Sequence, residues 1–230
     1  MTQATIDLSG NALVIDVSVS ERARNINLRV DERGGRVKLI LPRFVSQAEG
    51  LAFARRKAGW IARQLRALPP HVPFCDGAVL PFGGGQRRIE HQRAFRGSVT
   101  LTHEAIVVGG DPRFLARRLR DWLRTSARQT LAERACVMAT TIERRVRRIT
   151  IRDPRSRWGS CTADGQISFS WRLLLAPEPV MNYVVAHEVA HLVELNHGPR
   201  FWRIVARLCP DYRDCRRWLR ENGAALHRFG

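Results

Sequence analysis

Apolar residues recur along this chain at two different periods, and the change from one to the other near residue 111 limits the folds open to it. Ile15, Val17 and Val19 alternate with Asp16, Ser18 and Ser20. Ile26, Leu28 and Val30 alternate with Asn25, Asn27 and Arg29, and Val37, Leu39 and Leu41 repeat the pattern. Alternation of this kind puts one face of a segment in a core and the other in water, as in a half-buried β-strand. Asp31-Glu32-Arg33-Gly34-Gly35 supplies a hairpin turn between the last two segments. Ser46-Gln47-Ala48-Glu49 has the spacing of a capping box and opens a helix predicted to run to about residue 67, where Pro69-Pro70 ends it. Residues 1–70 therefore predict a small antiparallel meander plus one helix. Short strands follow at 79–82, 86–91, 99–102 and 106–108. Gly83-Gly84-Gly85 feeds a strand rather than a helix N-terminus, so it predicts a hairpin turn and not a phosphate cradle.

From Asp111-Pro112 the period lengthens. Asp is a good N-cap and proline fits the first helical position. Leu115, Leu119, Trp122, Leu123, Ala127, Leu131, Ala135, Met138 and Ile142 then recur three or four apart, as in a long amphipathic helix. Arg117, Arg120, Arg124 and Arg128 fall mostly off that stripe and are read as solvated. Ile149-Thr150-Ile151 reads as a strand, residues 156–161 with Asp164-Gly165 as a loop and turn, and residues 166–171 as another strand. Pro177 opens a further helix, and helices over 199–208 and 211–227 finish the chain. The expectation is an α+β protein: antiparallel strands with helices over residues 1–110, and a second domain over 111–230. No internal repeat is visible.

Composition narrows the function classes. A chain of 230 residues with 44% hydrophobic content can bury a core and is not disordered throughout. No apolar run reaches the ~18 residues that span a bilayer, and the N-terminus lacks a basic head followed by an apolar stretch. No membrane partner is expected, and the cytoplasm is the predicted location. Cys75, Cys136, Cys161, Cys209 and Cys215 are odd in number and never spaced C-x-x-C, which fits a reducing compartment. Cys161 is read as a packed or surface thiol rather than a nucleophile. The formal charge of +18, almost all arginine, allows a nucleic acid partner on a basic surface, while solvated arginine faces explain it equally well. No nucleic-acid-binding motif and no zinc-deaminase P-C-x-x-C supports the first reading.

Chemistry concentrates in one short stretch. Of seven histidines, His187, His191 and His197 fall close together, the first two as His187-Glu188-Val189-Ala190-His191. Helical residues four apart stack on one face, about 6 Å apart along the axis. Two such imidazoles can converge on a tetrahedral Zn2+ at about 2.0–2.1 Å. Glu188 is rotated by about 100° from His187 and can instead reach a water on the metal, as a general base must. Val184, Val185, Val189 and Leu192 make the surroundings apolar, so unliganded histidines would be costly to bury there. For a third ligand, Asn196-His197-Gly198-Pro199 reads as a chain reversal that swings His197 onto the metal. Asp211 or Asp214 from a following helix is the alternative, and Glu194 is read as an outer or surface group.

Several spaced motifs resemble the YgjP-like metallopeptidases, bacterial relatives of the SprT-like proteases. They are Arg157-Trp158-Gly159-Ser160-Cys161, Ser170-Trp171-Arg172-Leu173, the run from Tyr183 through His187, Glu188 and His191 to Leu192, Asn196-His197 and Phe201-Trp202. Arg22-Ala23-Arg24-Asn25-Ile26-Asn27-Leu28-Arg29-Val30 and Lys57-Ala58-Gly59-Trp60-Ile61 extend the resemblance over nearly the whole chain. Ser170 and Asn182 are small departures from it. The resemblance implies a zincin-like catalytic domain that hydrolyses peptide bonds in a protein or peptide substrate. His187, His191 and His197 would hold zinc, Glu188 would be the base, and the strand near Ile167 to Trp171 would be an edge for extended peptide. Arg172, Tyr183 and Arg200 are candidates for stabilising the oxyanion. Two other readings stand beside this one: a nucleic-acid-associated protein with a structural metal, and a protease acting on DNA-bound proteins.

Overall fold

The computed structural model describes residues 2–8, 11–30, 36–67, 70–94, 97–154 and 156–230. It is a mixed α+β architecture in two compact units, Met1–His71 and Val72–Gly230. The division therefore falls some forty residues earlier in the chain than the expected 110/111 boundary. The reason lies in the core: Leu80, Ile89, Ile106 and Val108 are buried in one cluster with Leu119, Leu123 and Leu131 of the long helix.

In the first unit, strands β1 (Thr2–Leu8), β2 (Asn11–Ser20), β3 (Asn27–Val30) and β4 (Val37–Pro42) form one sheet in the order β1-β2-β4-β3. The alternation seen in sequence sets the buried face: Ile15, Val17, Val37, Leu39 and Leu41 are all essentially solvent-free. The sheet is not the expected antiparallel meander. β1, which carries no strong alternation, pairs with β2 as a hairpin and takes one of its edges, so β4 pairs with the other edge in parallel. Residues 31–35, the expected turn, lie outside the described residues, as does Pro69. The expected single helix is two, α1 (Gln47–Arg56) and α2 (Ala58–Ala67), separated at Lys57. The capping box is present: the Glu49 backbone N–H donates to Ser46 Oγ, and the Ser46 N–H donates to the Glu49 carboxylate at 2.9 Å.

The second unit opens with β5 (Val79–Phe82), β6 (Gly85–Gln92), β7 (Val99–Leu101) and β8 (Ala105–Gly109), ordered β5-β6-β8-β7. Two antiparallel hairpins joined through a parallel β6–β8 pair reproduce the arrangement of β1–β4, a structural repeat that the sequence does not display. Gly83 and Gly84 make the tight β5–β6 turn, both with positive φ (60° and 82°). Asp111 caps a short 3-10 turn that leads into α3 (Leu115–Thr141), whose Leu115, Leu119, Leu123, Ala127, Leu131, Ala135 and Ala139 are buried.

A three-stranded sheet follows, β9 (Arg148–Arg152), β10 (Gly159–Cys161) and β11 (Gln166–Ser170), in the order β10-β11-β9. β11 is thus the central strand and offers no edge to a peptide. The short strand β10, expected as loop, takes that edge position, antiparallel to β11. Helices α4 (Glu178–Ala190), α5 (Pro199–Leu208) and α6 (Tyr212–Leu226) complete the unit. Among the described residues no helix is long and apolar enough to cross a membrane.

Candidate metal centre

Helix α4 is apolar almost all round, and Val180, Met181, Val184, Val185, Ala186, Val189 and Ala190 are buried. A helix of this kind belongs inside a protein. Its polar residues His187 and Glu188 are therefore held in the interior near the point where α4 ends. The helix stops at Ala190, with His191 at its C-cap, six residues before the expected reversal at Asn196. The chain turns through residues 191–198 and re-enters helix at Pro199, which occupies the first helical turn of α5. That turn brings His197 back over α4, and Trp202 Nε1 donates to the His197 carbonyl at 3.1 Å, fixing the loop.

One ring nitrogen each from His187, His191 and His197 lies within 4.8 Å of the others. The Nε2 atoms of His187 and His197 are 3.1 Å apart. Two nitrogens bound tetrahedrally to one zinc at about 2.0–2.1 Å stand about 3.3–3.4 Å apart, so the His187–His197 pair needs little adjustment to share a cation, and His191 would close in from within 4.8 Å. His191 Nδ1 donates to the Glu194 carbonyl at 3.0 Å, which puts its proton on Nδ1 and leaves the Nε2 lone pair free. Burial, then the neighbouring His191 and His197, pushes the His187 imidazole down to about 4, keeping it neutral as a metal ligand must be. Its Nδ1 is buried and unpartnered among the described residues, unlike that of His191. The donor set and its protonation fit a divalent metal.

Glu188 is buried on the neighbouring side of α4, at 6% exposure. Burial pushes its carboxyl up to about 8, and the Arg157 guanidinium pulls the other way. A cation held by the imidazoles acts in the same sense as Arg157. Edge strand β10 passes directly over this carboxyl: a Cβ on Gly159 would lie 2.6 Å from Glu188 Cγ and Oε1. Only glycine leaves room for the glutamate there. Cys161, next but one along β10, is half-buried, and burial pushes its thiol up to about 11, which disfavours the nucleophilic thiolate.

Phe201 packs against all three imidazoles, with centroids at 4.9, 4.6 and 4.7 Å from His187, His191 and His197. Tyr183 meets His187 edge-on at 6.0 Å. Glu194 contributes its backbone carbonyl, not a carboxylate. Neither Asp211 nor Asp214 joins the cluster among the described residues: Asp214 is exposed and paired with Arg217, and Asp211 sits exposed at the head of α6. Arg172 is committed elsewhere. It is buried at 4% exposure, pairs with Asp153, and donates to the carbonyls of Leu226 and Phe229. Arg200 is exposed on α5.

Arg216 was not foreseen. Its guanidinium lies 4.9 Å over the Trp202 ring, and its charge acts on both His187 and Tyr183. Trp202 in turn stacks on Tyr212 at 5.4 Å. The spacing of Tyr212 and Arg216, one helical turn apart on α6, was the available signal.

The YgjP-like metallopeptidase domain profile matches residues 24–222. The chain belongs to the YgjP-like metallopeptidase family. It is 32% identical over 71 residues to the UTP pyrophosphatase of Escherichia coli (strain K12), an alignment that covers 29% of this chain and 42% of that protein. Among solved structures it is similar to the metallopeptidase zymogen abylysin of Pyrococcus abyssi, at 25% identity and a TM-score of 0.35, over 40% of this chain and 92% of that one.

Proposed function

We propose that this protein is a zinc-dependent peptidase whose metal is held by His187, His191 and His197 and whose general base is Glu188. The observation that carries the reading is the convergence of three imidazole nitrogens, from the end of α4 and the turn after it, beside the buried Glu188 carboxyl. A metal there would supply Lewis-acid polarisation of the scissile carbonyl and make water a nucleophile near neutral pH. Glu188 takes the proton of the attacking water and passes it to the leaving amine nitrogen. Gly159 keeps β10 close to Glu188 and so fixes the direction in which that carboxylate can move. Arg216, whose charge acts on His187, and Tyr183, which meets that ring edge-on, are the candidates to meet a developing oxyanion, in place of Arg172 and Arg200.

Replacing Glu188 by glutamine keeps the shape and removes the base. Peptide hydrolysis should fall by about 10²–10⁴-fold while metal content stays at the wild-type level. Full activity in that variant would refute the assignment.

The UTP pyrophosphatase relative supports a second reading, in which the same centre hydrolyses a phosphoanhydride. Assaying UTP and peptides side by side, with and without chelator, separates the two. The basic composition leaves a DNA-associated role open to the same preparation: DNA binding that falls steeply with salt and ignores chelator would favour it.

A further inference from the structure

The three-stranded sheet has a second face that the metal centre does not use. On its inner face Ile149, Ile151, Ile167 and Phe169 join the core. The outer face reads differently. Thr150, Ser168 and Ser160 lie in register across the sheet as a row of hydroxyls, with Ser160 Oγ and Ser168 Oγ 2.9 Å apart. Arg148 and Arg152 flank Thr150 on the same side of β9, and Arg157 stands at the other end of the row. Together they line a groove of about 690 Å³.

The charge balance of this groove is one-sided. Asp153, its acidic lining residue, forms a two-point pair with Arg172 at 2.8 and 3.2 Å. Arg148, Arg152 and Arg157 have no carboxylate within ion-pair distance among the described residues, and all three are exposed. Guanidinium groups and hydroxyls with no opposing charge form a receptor for oxyanions. The lining holds no aromatic ring on which a base could stack, which disfavours single-stranded nucleic acid. Arg148 and Arg152 are four strand residues apart, about 13 Å, a separation suited to carboxylates spaced along an extended polypeptide.

The groove also neighbours the metal centre without merging with it. Gly159 faces Glu188, and Ser160, the next residue of β10, faces the groove, so one edge strand separates the two. Arg157 lies close enough for its charge to act on Glu188. We infer that the outer face of the β9–β11 sheet is an exosite that binds an acidic stretch of the polypeptide substrate, away from the bond cleaved. The inference rests on the peptidase reading, and it assigns that enzyme a substrate class: proteins carrying a run of Asp and Glu at a distance from the cleavage point. Binding energy collected there holds the chain while Glu188 acts elsewhere.

The test is fluorescence anisotropy with three labelled peptides of equal length, Glu/Ser, Lys/Ser and Ser-only, on the full chain with its metal stripped by chelator. Hydrolysis is absent from that measurement, so its result and the peptidase assay stand or fall separately. The Glu/Ser peptide should bind most tightly. Arg148→Ala/Arg152→Ala should weaken it about tenfold or more, with Arg148→Lys/Arg152→Lys recovering part of the loss, and both variants should melt as the wild type does. Equal affinity for the three peptides would overturn the exosite, and so would an alanine variant that binds as the wild type. Binding of UTP that the alanine variant loses, with no binding of the acidic peptide, would also overturn it and give the groove to nucleotides.

Discussion

Helices α1 and α4 show how differently the two units use the same element. α1 buries only Gly50 and Ala54 and turns its arginines to water. α4 buries nine of its thirteen residues, a glutamate among them. A surface helix on a sheet is stabilised by its caps and one narrow stripe. A buried helix is stabilised by packing all round, and a polar group within it is costly unless something compensates. In the first unit charge sits mostly outside; among the described residues the buried exception is Asp16, which accepts from Gln3 Nε2 at 3.1 Å. In the second, Glu188 and Arg172 are buried and His187 is partly buried, and each has a partner or a position that accounts for it.

The largest effect expected from that contrast is at Arg172. Arg172→Ala removes the pair to Asp153 and the donor to two C-terminal carbonyls, and loss of one partner of a buried pair costs about 3–5 kcal/mol. Chemical denaturation should show the second unit losing most of its stability. An unchanged midpoint would place Arg172 among the dispensable surface arginines.

Gly159→Ala comes next. A methyl group at 2.6 Å from Glu188 must displace the carboxylate. Peptide hydrolysis should drop by about 10²-fold with metal content retained, which separates misplacement of the base from loss of the centre. A variant with normal turnover would show that the close approach of β10 is not needed.

The smallest effect belongs to the first unit. Ser46→Ala removes one half of the α1 capping box and should lower that unit's melting point by roughly a few degrees. The Ser46 side chain, then its backbone N–H, holds the Glu49 carboxyl below its ordinary value. A depressed carboxyl stabilises the fold above its unfolded pKa and stops doing so as pH falls through the folded value. The wild-type advantage over Ser46→Ala should therefore shrink in acid, and an advantage that grows in acid would reverse the sign.

The same contrast explains what could be read before folding. The strands of residues 15–41 and the stripe of α3 were legible because each has one wet face, and a wet face leaves a period in the sequence. Strand β10 was not: with only Gly159, Ser160 and Cys161 it has no period, and its place at the sheet edge is set by the partner strand. The parallel β2–β4 and β6–β8 pairs were equally hidden, because strand order depends on which edges are left free. α4 carries no amphipathic signal, yet its histidines and glutamate were visible because polar residues in an apolar helix need a reason. His197 was found through its chain reversal, although α4 ends earlier than that reversal suggested. Arg216 escaped because helix α6 is rich in arginine, and only its spacing from Tyr212 sets it apart from the others in the sequence.

The central claim is that three imidazoles share one cation. Elemental analysis of the purified protein, after exposure to zinc and gel filtration, tests it alongside His191→Ala. The expected result is about one zinc per wild-type chain and a large loss in the variant, with the two proteins equally folded. A folded His191→Ala that keeps the full complement of metal, or a wild type that takes up none, would contradict it.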